Sequence, residues 1–378
     1  GLLDAFTGGA FKKFSIFALG IIPYINASII MQLLTIALPQ LEQLAKEGEP
    51  GQKKIRLWTR WMTGILSLLQ AAGMALYIQR ASGGTAFTSL WHVGQVVIIL
   101  AAGTAFLMWL GEQITDKGIG NGVSIIIFAG IMASLPWQMA NIFTEYKAGT
   151  VSILNIICLF AVFVATIGAI VAVTQAQRKI PIQHVKRVVG NKMYGGQSSH
   201  LPLKINSAGV IPIIFAISLL MFPQTIAQLL PDSQGFVGSV VGVIKSIAQI
   251  LSPGQSIWGS LAYAGLVIFF TYFYTAVTFN VPEVADNLKK WGSFIPGIRP
   301  GKPTMEYLDR VMTRLTLAGA IFLALIALAQ YYLPVWVGFP NFTLLGGTSL
   351  LIVVGVALET MQAIEAQMLM RHYEGFIK

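Results

Sequence analysis

Nine long apolar runs dominate this 378-residue chain, at about 15–38, 57–78, 92–114, 122–143, 151–175, 206–230, 257–280, 312–333 and 345–370. Runs of this length match the roughly 20 residues that a helix needs to cross a bilayer. Only 11% of residues are charged, against about 25% in soluble domains. A mean hydropathy of +0.71 agrees. The pattern is that of an all-α polytopic membrane protein. No cleavable signal peptide is read at the start. The chain opens on Gly1 without an initiator Met, so an upstream segment is expected. The single cysteine, Cys158, has no internal disulfide partner and reads as a packed thiol within a span.

The connections between the runs differ sharply in charge. The first, third, fifth and seventh connections and the tail carry 20 of the 25 Lys and Arg residues. They include Lys53, Arg56 and Arg60, then Lys117, then Lys186, Arg187 and Lys192, then Lys289, Lys290 and Arg299. The other connections hold only Arg80, Lys147 and Lys245. The positive-inside rule puts the basic loops and the C-terminus in the cytoplasm. The first run then enters from outside, and residues 1–10 lie near the outer face. Trp58, Trp61, Trp91, Trp258, Tyr331 and Tyr332 cluster near span ends, as an aromatic belt does. Phe236–Leu251 is apolar and reads as an interfacial helix.

The opening segment organises the rest. An amphipathic piece with Leu2, Leu3 and Phe6 ends at Gly8-Gly9. An apolar run follows from Phe14 to Leu38, broken at Gly20 and Pro23. Proline inside a helix costs about 3 kcal/mol. In membranes such breaks survive where the helix lines a cavity or is buried in protein. Two readings stay open: a half-inserted piece with a hinge and then a span, or a plain kinked span with a frayed start.

Catalytic motifs are missing. There is no phosphate loop, no GxSxG and no HExxH. GIGNG at Gly118–Gly122 reads as a tight membrane turn. His92, His184, His200 and His372 are scattered without ligand spacing, so no metal site and no cofactor is expected. Glu112, Glu359 and Glu365 fall near the cytoplasmic ends of their spans, where snorkelling accounts for them. No charge sits at a midplane, as an ion-coupled transporter would want.

The two large cytoplasmic loops, 175–205 and 280–311, are too long for mere connectors. IPIQHVKRVVG and QSSHLPLKIN read as two arms of a hairpin turning at Gly195-Gly196. PGIRPG puts Arg299 at the tip of an exposed turn stiffened by Pro296, Gly297, Pro300 and Gly301. Two protrusions on one face suggest a docking platform.

FSIFALGIIPYINASIIMQLL, FLMWLGEQITDKGIGNGVSIIIFAGI, QSSHLPLKINSAGVIPIIFA, ADNLKKWGSFIPGIRPGKPT, VMTRLTL and GGTSLLIVVGVALE run through the chain from end to end. Together they closely resemble the SecY family of protein-conducting channels. The resemblance implies a ten-span, two-half clamshell, of which nine spans are present and one precedes Gly1. Residues 1–10 would be the plug (Leu2, Leu3, Phe6, Gly8 and Gly9). Residues 11–145 would be the N-terminal half and 146–378 the C-terminal half. Ile21, Ile25, Ile127, Ile214 and Ile352 would form the pore ring, a dry constriction that blocks ions by dewetting. Asn26, Phe222, Gln70 and Asn206 would flank a lateral gate. Arg299, Lys186, Arg187, Lys289 and Lys290 would dock the SecA ATPase or a ribosome. The implied function is passage of unfolded secretory polypeptides across the bacterial cytoplasmic membrane and release of hydrophobic segments into it. SecE and SecG would be membrane partners, and signal sequences and preproteins the cargo. The chain would not be an enzyme. A secondary transporter with interrupted helices is the runner-up. An intramembrane protease lacks any catalytic constellation.

Overall fold

The computed structural model describes residues 15–81, 89–184, 187–189, 192–194, 198–229, 242–243, 246–247, 249–339 and 347–374. A helix lies at each of the nine apolar runs. These are α1 (Ile22–Ala37), α3 (Glu49–Ala81), α4 (Leu90–Lys117), α5 (Gly122–Lys147), α6 (Ile153–Gln175), α7 (Ile211–Leu229), α8 (Ile257–Thr278), α10 (Lys302–Val337) and α11 (Gly347–Glu374). Two short helices, α2 (Pro39–Lys46) and α9 (Val281–Lys290), lie between them. Among the described residues, six helices are long and apolar enough to cross a membrane, or seven if α1 and α2 count as one bent span.

Pro23 does not interrupt the first span. It occupies the first turn of α1, where no N–H is needed and the fixed φ suits a helix. The break falls just before it. Residues 16–21 form turns, and Gly20 takes φ +57°, a left-handed conformation that glycine adopts without penalty. α1 has only 16 residues, a rise of about 24 Å against a hydrocarbon core of about 30 Å. The turned segment completes the crossing. At Leu38 the chain bends by 101° into α2. That helix has one buried residue, Leu41, and an exposed Lys46–Glu42 pair.

α10 moves a loop boundary. It starts at Lys302 and runs for 36 residues, about 54 Å, so its first turns project beyond the bilayer. Arg310 and Arg314 therefore lie on a helix rather than in a loop. The fifth connection is the expected hairpin, but its turn lies elsewhere. β1 (Gln177–His184) pairs antiparallel with β4 (Ser198–Lys204), from Gln177↔Lys204 to Gln183↔Ser198. β2 (Arg187–Val189) and β3 (Lys192–Tyr194) continue in the same register, with Val189 opposite Lys192. The reversal thus falls between Val189 and Lys192. Gly195-Gly196 lies outside the described residues and cannot be the turn in this register.

The two large basic loops are one folded unit. β5 (Ser293–Phe294) adds to the free edge of β1, giving the order β4-β1-β5. Beneath the sheet, Ile180, Ile182, Leu203, Leu288, Ile295, Leu308, Val311 and Met312 form a separate apolar core. The membrane body has its own core, drawn from α1, α5–α8, α10 and α11. α3 packs on α1 and α4, α8 on α10 and α7, and α11 on α5 and α6. α1 and α3 also meet α7. Cys158 is exposed on α6, not packed as expected. It lies on the helix face shared with exposed Leu154 and Ile157. Of Phe236–Leu251 only scattered residues are described, and most of those are helical.

Candidate functional site

α1 carries Tyr24, Ser28 and Gln32 at four-residue intervals, which puts them on one face. A polar stripe on a membrane helix is stable only away from lipid. Here it faces two cavities, of about 260 Å³ and about 440 Å³, that share Tyr24, Ser28, Gln32, Arg56, Glu112 and Phe215 as lining. The smaller one reaches Ile25, Ile127, Ile211 and Ile214. Its walls come from α1, α3, α4, α5 and α7. It is polar toward Arg56, Asp116 and Asn121 and apolar toward the isoleucines.

Three of the five expected ring residues share one cavity: Ile25, Ile127 and the half-buried Ile214 line the smaller one together. Ile21, Ile127 and Ile352 are buried in one extended core cluster, with Ile25 packed against it. Branched aliphatic groups offer no hydrogen bonds, so such a cluster repels water and ions and adapts to whatever is pushed through it.

Glu112 does not snorkel. Its side chain is 15% exposed and held by Arg60 in a two-pronged pair, Nε to Oε1 at 2.8 Å and a second guanidinium nitrogen to Oε2 at 2.7 Å. Such fork geometry is the strong form of an ion pair. Arg56 approaches Asp116 at 3.7 Å one turn on. The pairs join α3 to α4 at the cavity wall. Glu112 was singled out in the sequence as an in-span carboxylate, but nothing in the spacing links it to Arg60. Glu359 and Glu365 are exposed on α11. GIGNG is the connection between α4 and α5. Asn121 caps α5 by accepting from the Val123 and Ser124 N–H groups, and Gly122 packs so close that a Cβ there would lie 2.0 Å from the Gly111 carbonyl oxygen.

The residues expected at a lateral gate lie on α1, on α3, just before α7 and within α7, and α1 and α3 both contact α7. Asn26 is half-buried on α1, and its Oδ1 has no hydrogen-bond partner among the described residues. Asn206 is buried just before α7. Its Nδ2 donates to the Gly209 carbonyl at 3.2 Å, and its Oδ1 is unpaired among the described residues. Gln70 is half-buried on α3, and no hydrogen bond joins it to Asn206 among the described residues. Phe222 lies within α7, with its side chain outside the described residues.

Arg299 is exposed in the turn between β5 and α10. Gly297 takes φ +81° and Gly301 φ +103°. The Thr304 hydroxyl donates to the Arg299 carbonyl at 2.8 Å, which ties the turn to the helix behind it. Lys289 and Lys290 are exposed at the end of α9, beside Trp291. Arg187 is in β2, its side chain outside the described residues. Lys186 and the segment with Leu2, Leu3, Phe6, Gly8 and Gly9 lie outside them entirely. Among the described residues no His, Cys, Asp and Glu cluster could hold a metal ion.

Known proteins match along the whole chain. The SecY family profile matches residues 15–361. The protein translocase subunit SecY of Halalkalibacterium halodurans is 48% identical, over 100% of this chain and 88% of its own length. That of Pseudomonas aeruginosa is 46% identical, over 100% and 83%. Among solved structures, a SecY whose plug domain is described as maintaining a membrane seal has a TM-score of 0.65 at 21% identity, covering 93% of this chain and 82% of its own. A second, described as a protein-conducting channel, has a TM-score of 0.61 at 19% identity, covering 96% and 84%. These two likenesses are of fold, whereas the family match and the 48% identity run along the sequence itself, and on that ground the chain belongs to the SecY family.

Proposed function

We propose that the chain is the pore subunit of a bacterial protein translocase, a passive conduit for unfolded polypeptides. One observation carries this reading: Ile25, Ile127 and Ile214, from α1, α5 and α7, line one cavity that also has a polar wall, and Ile21, Ile127 and Ile352 are buried in one core cluster. A polypeptide entering along Tyr24, Ser28 and Gln32 meets groups that can hydrogen-bond its backbone. It then meets Ile21, Ile25, Ile127, Ile214 and Ile352, which seal around it by van der Waals contact alone. Hydrophobic segments leave between α1 and α7, past Asn26, Gln70, Asn206 and Phe222. The unpaired oxygens of Asn26 and Asn206 fit a gate that exchanges partners when a signal sequence wedges in. Residues 1–10 close the outer side.

Energy comes from a motor or ribosome on the cytoplasmic unit, at Arg299, Lys289, Lys290, Lys186 and Arg187. SecA is the motor in this reading, with SecE and SecG as membrane partners. The relatives' role and the basic loops support a location in the bacterial cytoplasmic membrane with the C-terminus inside. It catalyses no reaction itself.

The test is a crosslink. Cysteine replaces Ile25 in a Cys158→Ser background, and a preprotein bearing one cysteine is stalled in mid-passage by the reconstituted channel. A disulfide to position 25, with none to a cysteine at exposed Leu261, supports the conduit. Intact translocation without that crosslink moves the pore axis elsewhere. Absence of both revives a transporter.

A further inference from the structure

The two helices flanking the proposed gate are launched by the same local device. Ala18–Pro23 reads ALGIIP and Ser207–Pro212 reads SAGVIP. In each, a left-handed glycine stands two residues before the helix, Gly20 at φ +57° and Gly209 at φ +64°. In each, the next carbonyl caps the first turn. Ile21 accepts from the N–H of Tyr24 and Ile25, both at 3.1 Å, and Val210 from Ile213 and Ile214, at 3.2 and 3.4 Å. In each, proline is the second helical residue. The same alignment sets Ile25 on Ile214, two members of the proposed ring.

The match extends to what holds each turn. Six residues before each helix, a main-chain carbonyl sits in a notch made by a glycine of another helix. A Cβ on Gly103 of α4 would lie 2.2 Å from the Ile16 oxygen, and one on Gly319 of α10 would lie 2.7 Å from the Ile205 oxygen. Both are shorter than any real contact of that kind. Gly94, also in α4, and Gly265, in α8, would meet nothing within 4 Å. The obstruction at each notch is main chain. No rotamer change can relieve it, so a methyl there must move the turn.

We propose that Gly103 and Gly319 are positioning residues, a matched pair of notches that fix where α1 and α7 begin and so set the resting closure of the gate and ring. The turns behind both are buried, Ala18 at 1% and Ala208 at 2% exposure, and each is tied by backbone hydrogen bonds to its gate helix. A displaced turn therefore carries Ile21 and Ile25, or Ile214, with it. Glycine is needed at two positions far apart in sequence because the same carbonyl seat occurs twice.

This inference rests on the conduit reading above, and the experiment separates the two. The full-length channel is reconstituted with the membrane subunits that copurify with it. Resting ion conductance per channel is read in a planar bilayer, together with passage of a preprotein whose signal sequence is impaired. Gly103→Ala is expected to raise resting conductance about tenfold, with a smaller rise for Gly319→Ala, a tenfold change answering to about 1.4 kcal/mol in the closure equilibrium. Both variants should pass the impaired preprotein better than wild type, whereas Gly94→Ala and Gly265→Ala should match wild type. Loss of packing alone would lower the amount of channel in the membrane without raising conductance per channel. Spin labels at Ile36 and Leu219, in the Cys158→Ser background, should report a lengthened or broadened distance between α1 and α7 in both notch variants. Unchanged conductance and unchanged label distances overturn the proposal, as does failure of both notch variants to accumulate. A wild-type channel that passes no preprotein overturns the conduit reading instead.

Discussion

The membrane body and the unit formed by the two basic loops are built by opposite rules. In the unit, apolar side chains point in and polar ones out. Along β1, Ile180 and Ile182 are buried while Lys179, Pro181 and Gln183 are exposed, the alternation of a half-buried strand. In the body, Leu154, Trp61, Ile257 and Trp336 are 70%, 70%, 71% and 82% exposed. Those surfaces suit lipid. Apolarity there separates membrane from water but not core from periphery, because lipid tails are as apolar as leucine. Burial in the body adds small and polar residues, such as Ala27, Ala71, Ala75, Thr63, Ser67 and Thr271, to an aliphatic and aromatic core.

The comparison can be broken by matched truncations. Leu308 is fully buried under the three-stranded sheet, and Leu308→Ala should cost about 2–5 kcal/mol. Limited proteolysis between β1 and β4 should detect the loosened unit before the membrane body unfolds. Replacing Ile21 and Ile25 together by Ser should raise resting ion conductance several-fold, because water can then enter the constriction. Unchanged bilayer conductance would remove both from the ring. Arg299→Glu should stop motor-driven translocation while the channel accumulates normally. Wild-type translocation kinetics in that variant would end its docking role. Glu112→Gln should lower stability by about 1 kcal/mol, well below the 3–5 kcal/mol of a fully buried pair, since Arg60 is half in solvent. The thermal midpoint in detergent reads it. Smallest of all, Leu154→Ala on α6 should change stability by less than about 0.5 kcal/mol. A cost near that of Leu308→Ala would make this face a subunit interface rather than a lipid surface.

Much of this architecture is legible in the residues because its signals are local. A run of twenty apolar residues must be a span wherever it ends up, and a hairpin of alternating residues must pair somewhere. The signals fail where a contact links distant segments. Nothing in PGIRPG or in β1 announces that β5 joins the edge of β1. That pairing needs α9 and α10 to bring Ser293 alongside His184. Gly190-Asn191 is as good a two-residue hairpin turn as Gly195-Gly196, so the dipeptides alone do not choose between them, and the register along seven β1–β4 partners does. Pro23 read as a breaker because its position relative to the helix start was unknown, and proline is disruptive or helpful according to that position alone.

The sequence by itself determined the spans and the family. Each is set by the solvent a segment must sit in or by motifs carried on contiguous residues. Only the tertiary structure decided which isoleucines line one cavity, that Glu112 is paired with Arg60, and that Gly103 and Gly319 each receive a main-chain carbonyl. A membrane helix can turn any apolar face to lipid at little cost. What singles out one face is a close approach or a buried polar pair, and those belong to two segments at once.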